Sequence, residues 1–200
     1  IINSLFNNTN FIRKHVNPHN LMWGLYWIAS DMQNVETKVS FYDLFEKDEL
    51  FDLWQCINYR FYVCNANHAD SKGIVIANAK SLLKNILDSA EEAIADPSIA
   101  STLRFGHDGN VIPLAAILHL NDCDVSVNRP EDVYKVWSDY KVVPMAGNIQ
   151  IVFYKRNNNN EDILVKFLLN EQEAKIPLNT NIFPYYRWKD VKSYYTQLLM

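Results

Sequence analysis

The sequence predicts an α/β fold, with a helical layer over residues 1–70 and an α/β layer over 71–200. Three patterns predict it. Apolar residues recur at helical spacing through much of the first 95 residues. A Gly-bounded polar turn separates an extended segment from an apolar helix. Two β-patterned runs flank an Asn run near the end. The boundary near residue 70 is soft, because one core can join both layers.

Residues 21–34 (LMWGLYWIASDMQN) read as a helix, with Leu21, Leu25 and Ile28 in register and Trp23 and Trp27 alongside. Ser40–Asp43 resembles a capping box opening a short turn. Asp48 is placed to cap a helix over 49–63, whose apolar stripe is Leu50, Leu53, Trp54, Ile57 and Phe61. Asn65–Lys72 is polar and reads as a loop. The clearest helix spans 77–95, built on Leu82, Leu83, Ile86, Leu87, Ala90 and Ile94, and Asp96-Pro97 stops it. Ser101–Phe105 reads as a short strand and Gly106–Asn110 as a tight turn. An apolar helix then covers 111–120, with Pro113 tolerated only in its first turn. Asn148–Lys155 and Asp162–Phe167 read as a hairpin around Asn157–Asn160. Ile176–Pro184 reads as a loop and Trp188–Leu199 as a closing helix.

Composition narrows the partners. Hydrophobic residues make up 48% and charged residues 21%, as in ordinary globular chains. No apolar run is long enough to span a bilayer, so no membrane partner is expected. The net charge of -4 argues against nucleic acid as a general partner. Cys56, Cys64 and Cys123 lack metal-ligand spacing. Cys56 and Cys64 fall about 12 Å apart along one helix, too far for a disulfide, so buried free thiols are expected. The chain opens Ile1-Ile2-Asn3 with neither an initiator Met nor a visible signal peptide, a start that reads as a cut through a longer protein.

The turn Phe105-Gly106-His107-Asp108-Gly109-Asn110 carries the chemistry. A helix starting there gathers backbone N–H groups and the positive end of its dipole, which favours an anion. His107 can donate hydrogen bonds to a phosphate oxygen, and Asp108 can hold or release a proton. Gly106 and Gly109 keep side chains out of a ligand's approach. On pattern alone the turn also reads as a plain helix cap, with Asp108 the N-cap and His107 a satisfied turn residue. Arg104 can reach the same pocket or pair with a carboxylate. Asn110 can contact a ligand or stabilise the turn.

The run Leu103–Leu114 (LRFGHDGNVIPL) resembles the C-terminal His-Asp motif of the histidine acid phosphatases and phytases, branch 2 of the histidine phosphatase superfamily. Leu44–Trp54 with Asn58 and Tyr62 resembles the helical domain of the multiple inositol polyphosphate phosphatases. So do Val165–Glu171, Ile176-Pro177 and Pro184–Trp188, and the likeness runs in order over most of the chain. The resemblance implies the C-terminal part of a three-layer α/β phosphatase domain with an added helical subdomain. It implies cleavage of a phosphorylated small molecule through a phosphohistidine intermediate, with no metal or organic cofactor. Asp108 would protonate the leaving group, and His107 would contact the phosphoryl group. Arg104 and Asn110 would belong to the substrate wall. Family members are usually exported, so a periplasmic or secreted location is implied.

The chain departs from the family pattern in one respect above all. No Arg-His-Gly nucleophile motif occurs, and Arg13-Lys14-His15-Val16 lacks its Gly, so His15 reads as a surface residue. The chain alone is therefore expected to be inactive. It would need an N-terminal half and could associate with itself through the surface left bare. A non-catalytic phosphate-ligand-binding protein is the alternative reading. The subgroup is also open, because inositol polyphosphate phosphatases often carry His-Ala-Glu where this chain has His107-Asp108-Gly109. Outside the motif, His68 reads as a solvated loop residue, His119 as structural, and Glu91 and Glu92 as a solvated helix face.

Overall fold

The computed structural model describes residues 5–155 and 163–200. The predicted Asn157–Asn160 turn lies outside the described residues. The chain divides into two compact units, residues 1–57 and 58–200.

In the first unit, helix α1 (Thr9–His15) starts where Asn8 accepts from the Phe11 N–H. Helix α2 (Pro18–Asp31) starts the same way, with Asn17 accepting from the Asn20 N–H and Pro18 in the first turn, where it forfeits no helical bond. Helix α3 runs Lys47–Asn65 and crosses the division between the units. It begins before Asp48, which the sequence had as its cap. Glu49 from inside the first turn accepts from the Glu46 N–H at 3.0 Å and so closes that end. Tyr26, Ala29, Phe45 and Leu53 form this unit's core, with Trp23, Leu25 and Leu50 packed around it.

The second unit holds the end of α3, then α4 (Ile74–Ala77), α5 (Lys80–Ala95), α6 (Asp108–Ile117), α7 (Pro130–Val136) and α8 (Asp139–Val142). Strands β1 (Ile149–Tyr154), β2 (Leu164–Leu169), β3 (Gln172–Ala174) and β4 (Tyr185–Arg187) follow, and α9 (Trp188–Leu199) closes the chain. The sheet is antiparallel. β2 is central, with Ile151 opposite Phe167 and Val165 opposite Tyr186. Burial alternates along β2, so Val165, Phe167 and Leu169 point into the core. There they meet Leu83 and Leu87 of α5, Leu118 beyond α6, and Val191 and Tyr195 of α9. Helices and one sheet share this core, which makes the unit α/β.

Four local expectations are corrected. Ser101–Phe105 forms no strand and pairs with none among the described residues. Residue alternation can prepare a strand, but only a neighbouring backbone completes it. Helix α6 starts at Asp108, because the His107 carbonyl accepts from both the Asn110 and Val111 N–H groups. Gly106–Asn110 is therefore not a separate turn. Pro113 then sits in the second helical turn, where its missing N–H leaves the Gly109 carbonyl without its helical donor. Cys56 and Cys64 are exposed, while Cys123 is buried. Burial, helped by Asp124 and Asp122, pushes the Cys123 thiol up to about 12.

Candidate functional site

Helix α6 fixes the proposed site. Its Ile112, Ala115, Ala116 and Ile117 are buried, so the helix is anchored along its length and its N-terminus opens outward. His107 is the N-cap, with extended backbone, and Asp108 is the first helical residue. The Asn110 side chain accepts from the His107 N–H at 3.3 Å, half of a capping box. Asp108 Oδ1 accepts from the Gly109 N–H at 2.6 Å. The site is thus a helix N-terminus carrying an imidazole and a carboxyl on adjacent residues. Residues Ser101 to Asn110 are all exposed.

Gly106 keeps this turn open in a way the sequence only half indicates. It has no left-handed backbone, so conformational freedom is not its use. A Cβ there would lie 3.2 Å from Asn110 Oδ1, the acceptor that holds the His107 N–H. Gly109 is an ordinary helical residue facing Asn65 Oδ1 at 3.6 Å from a Cβ position.

Arg104 pairs with no carboxylate among the described residues. Its Nε and Nη2 donate to Asn85 Oδ1 at 3.1 and 2.7 Å, and Nη2 also reaches the Asn85 carbonyl and Ser89 Oγ. Asn85 and Ser89 sit one turn apart on α5, so one guanidinium spans both. Sequence reasoning did not single out this pair, because two polar residues on a helix surface carry no pattern of their own.

The other candidates lie elsewhere. His68 is buried, not solvated: its Nδ1 accepts from the Asp70 N–H, and its ring lies edge-on to Tyr59 and Tyr62. His119 is held by Asp124 at 2.6 Å beyond the end of α6, as expected of a structural residue. His15 is exposed at the end of α1. Glu91 is not a bare helix face. It accepts from Trp188 Nε1 and from Lys192, each at 2.7 Å, because α9 packs across α5. Burial pushes its carboxyl up, but those two donors outweigh it and hold it below the usual range. A separate open cleft of about 400 Å³, lined by Leu178 to Ile182, Tyr186, Arg187 and Asp190, includes none of the turn residues. Among the described residues no three His, Cys, Asp or Glu side chains gather as a metal site would require.

Comparison with known proteins converges on one family. The family model for the histidine phosphatase superfamily (branch 2) matches residues 6–170. Similar solved structures include the Bifidobacterium longum multiple inositol polyphosphate phosphatase in three forms. The apo form is 24% identical with TM-score 0.72, and this chain aligns over 86% of its own length and 38% of that chain. The complex with phosphate is 23% identical with TM-score 0.75, over 87% and 38%. The complex with inositol hexasulfate is 25% identical with TM-score 0.71, over 86% and 37%. The chain therefore spans less than two fifths of the length of these structures. No curated protein sequence matches it. By the family match over most of its residues, the chain belongs to the histidine phosphatase superfamily (branch 2).

Proposed function

We propose that this chain is the general-acid part of a phosphatase that hydrolyses phosphomonoesters, inositol polyphosphates among them, through a phosphohistidine intermediate. The observation that carries the reading is His107 and Asp108 side by side at the exposed N-terminus of α6. Helix N-termini attract phosphate, and the imidazole and carboxyl occupy the two positions nearest such an anion. The Bifidobacterium longum enzyme, similar in fold, was crystallised with phosphate and with inositol hexasulfate.

A histidine nucleophile from outside these 200 residues would bond to phosphorus as the ester P–O bond breaks. The electron pair stays on the leaving oxygen, which takes the Asp108 proton. Water then attacks phosphorus, passes a proton to the Asp108 carboxylate and releases inorganic phosphate as the N–P bond breaks. His107 donates to a phosphoryl oxygen throughout, and Asn110 keeps its backbone in place. Arg104 borders the site from the preceding segment. The segment bearing the nucleophile is the proposed partner and would also supply a strand beside Ser101–Phe105.

The test is phosphate release by the complete protein, with and without Asp108→Asn. Loss of a general acid costs about 10²–10⁴-fold. The loss is expected to be large for alkyl and inositol phosphates and small for p-nitrophenyl phosphate, whose leaving group needs no proton. Equal loss with both esters would remove Asp108 from the acid role. An inactive parent that still binds phosphate would favour a non-catalytic binding protein.

A further inference from the structure

We infer, on the phosphatase reading above, that Asn85 and Ser89 of α5 are positioning residues for the His107–Asp108 turn, acting through Arg104. Between the Ile99 N–H and the His107 carbonyl, no backbone–backbone hydrogen bond ties the chain to its surroundings among the described residues. Every residue from Ser101 to His107 is exposed. The segment is nevertheless held, because Arg104 makes four N–H···O contacts to Asn85 and Ser89. Leu103 and Phe105, its chain neighbours, are 74% and 94% exposed. Arg104 is therefore anchored to α5, while both its chain neighbours are bare.

The anchor acts at short range. From Arg104 to His107 is three residues, a span of at most about 10 Å. Asp108 is set by the buried helix α6. His107 stands at the junction, with one side governed by α6 and the other by the anchored segment. What holds it to the helix without the anchor is its capping box with Asn110 and the carbonyl bonds of the first turn. The imidazole would then sample positions away from the phosphoryl group. Helix α5 is itself fixed by the buried Leu83, Leu87 and Ala90, so Asn85 and Ser89 form a rigid pair of acceptors. Both acceptors are neutral, so they orient the guanidinium without cancelling its charge beside an anionic substrate.

The experiment measures kcat, KM and thermal midpoint in the complete protein carrying Asn85→Leu with Ser89→Ala. Misplacement of a catalytic group by about 1 Å can cost up to about 100-fold. The double variant is expected to lose about 10-fold in kcat per folded molecule, the milder Ser89→Ala about 3-fold, and Asn85→Gln, which keeps a neutral acceptor for Arg104, less than about 2-fold. A merely structural pair would lower the thermal midpoint and leave kcat per folded molecule unchanged, and that result overturns the inference. Where the double variant does not fold, the Ser89→Ala and Asn85→Gln pair decides by the same criterion. His107→Ala and Asp108→Asn run alongside. If these two are inactive while the α5 variants keep full kcat, the positioning role alone is wrong. If they too keep full activity, the phosphatase reading of the turn is wrong.

Discussion

Tyr62, 0% exposed on α3, shows how one side chain can organise the ground beside the site. Its hydroxyl donates to the Val125 carbonyl and accepts from the Val127 N–H, each at 2.8 Å, and its ring packs against Trp137 and His68. Burial raises its phenol above the ordinary range, so the group stays a neutral donor. Tyr62→Phe keeps the ring and removes these bonds together with a 3.2 Å bond to the Asn67 carbonyl, leaving half-buried backbone groups without the hydroxyl. The expected cost is about 1–3 kcal/mol. At this chain length each kcal/mol lowers the thermal midpoint by about 2–4 °C. Urea or thermal unfolding reads it directly, and an unchanged midpoint would mean that water replaces the hydroxyl. The sequence carried part of this scale. His107, Asp108 and Asn110 were visible as a motif because their spacing is local. The burial of His68 was not, because it depends on Tyr59 and Tyr62 folding over a loop that is polar in sequence. Arg104 was visible as a candidate, but its partners lie 15 and 19 residues upstream, beyond any local pattern.

Between elements, the α5–α9 contact depends on charge. Trp188, 6% exposed at the start of α9, donates to Glu91, and Lys192 one turn later pairs with the same carboxylate. The carboxyl of Glu91 is held below its usual range by these donors, against the opposing effect of burial. A depressed carboxylate stabilises the fold above its unfolded pKa, about 4.3, and that contribution is lost as pH falls through the lower folded value. The Glu91–Lys192 pair is about half exposed, so screening limits it to about 0.2–1 kcal/mol. Glu91→Gln is therefore expected to lower unfolding free energy by that amount at pH 7, with the difference fading below pH 4. A difference that stays constant across the whole range would assign the effect to packing. Helix α5 was legible from its apolar stripe, α9 as a closing helix, and β1 and β2 as runs flanking the Asn turn. Their contact was not legible, since Glu91 looks like any solvated glutamate until α9 crosses it. Helix α6 was read with a late start because Pro113 suggests a first turn, whereas the His107 carbonyl begins the helix at Asp108.

At the scale of the molecule the family is visible in sequence, but the completeness of the site is not. The chain covers 38% of the apo Bifidobacterium longum structure, and its His-Asp turn follows a segment that pairs with no strand among the described residues. Leu103 and Phe105 are bare to 74% and 94%, and the backbone between them offers donors and acceptors on an open edge. Such an edge templates pairing with another chain, and the two apolar side chains add the burial that drives it. Arg104 makes the edge more effective, because an anchored strand loses less entropy on pairing than a loose one. The 200-residue chain is therefore expected to self-associate as its concentration rises, with sedimentation velocity showing a growing dimer or larger species. Leu103→Lys with Phe105→Lys should restore the monomer, since like charges facing across the pair oppose it and the apolar area is gone. The same substitutions should leave the thermal midpoint within about 2 °C, because exposed changes away from packed groups cost little. Co-expression with the segment that holds the nucleophile should suppress association in the unsubstituted chain, because one partner would then occupy the edge. A chain that stays monomeric at every concentration would mean that the edge attracts no strand, and the proposed pairing with the nucleophile-bearing segment would lose its physical basis.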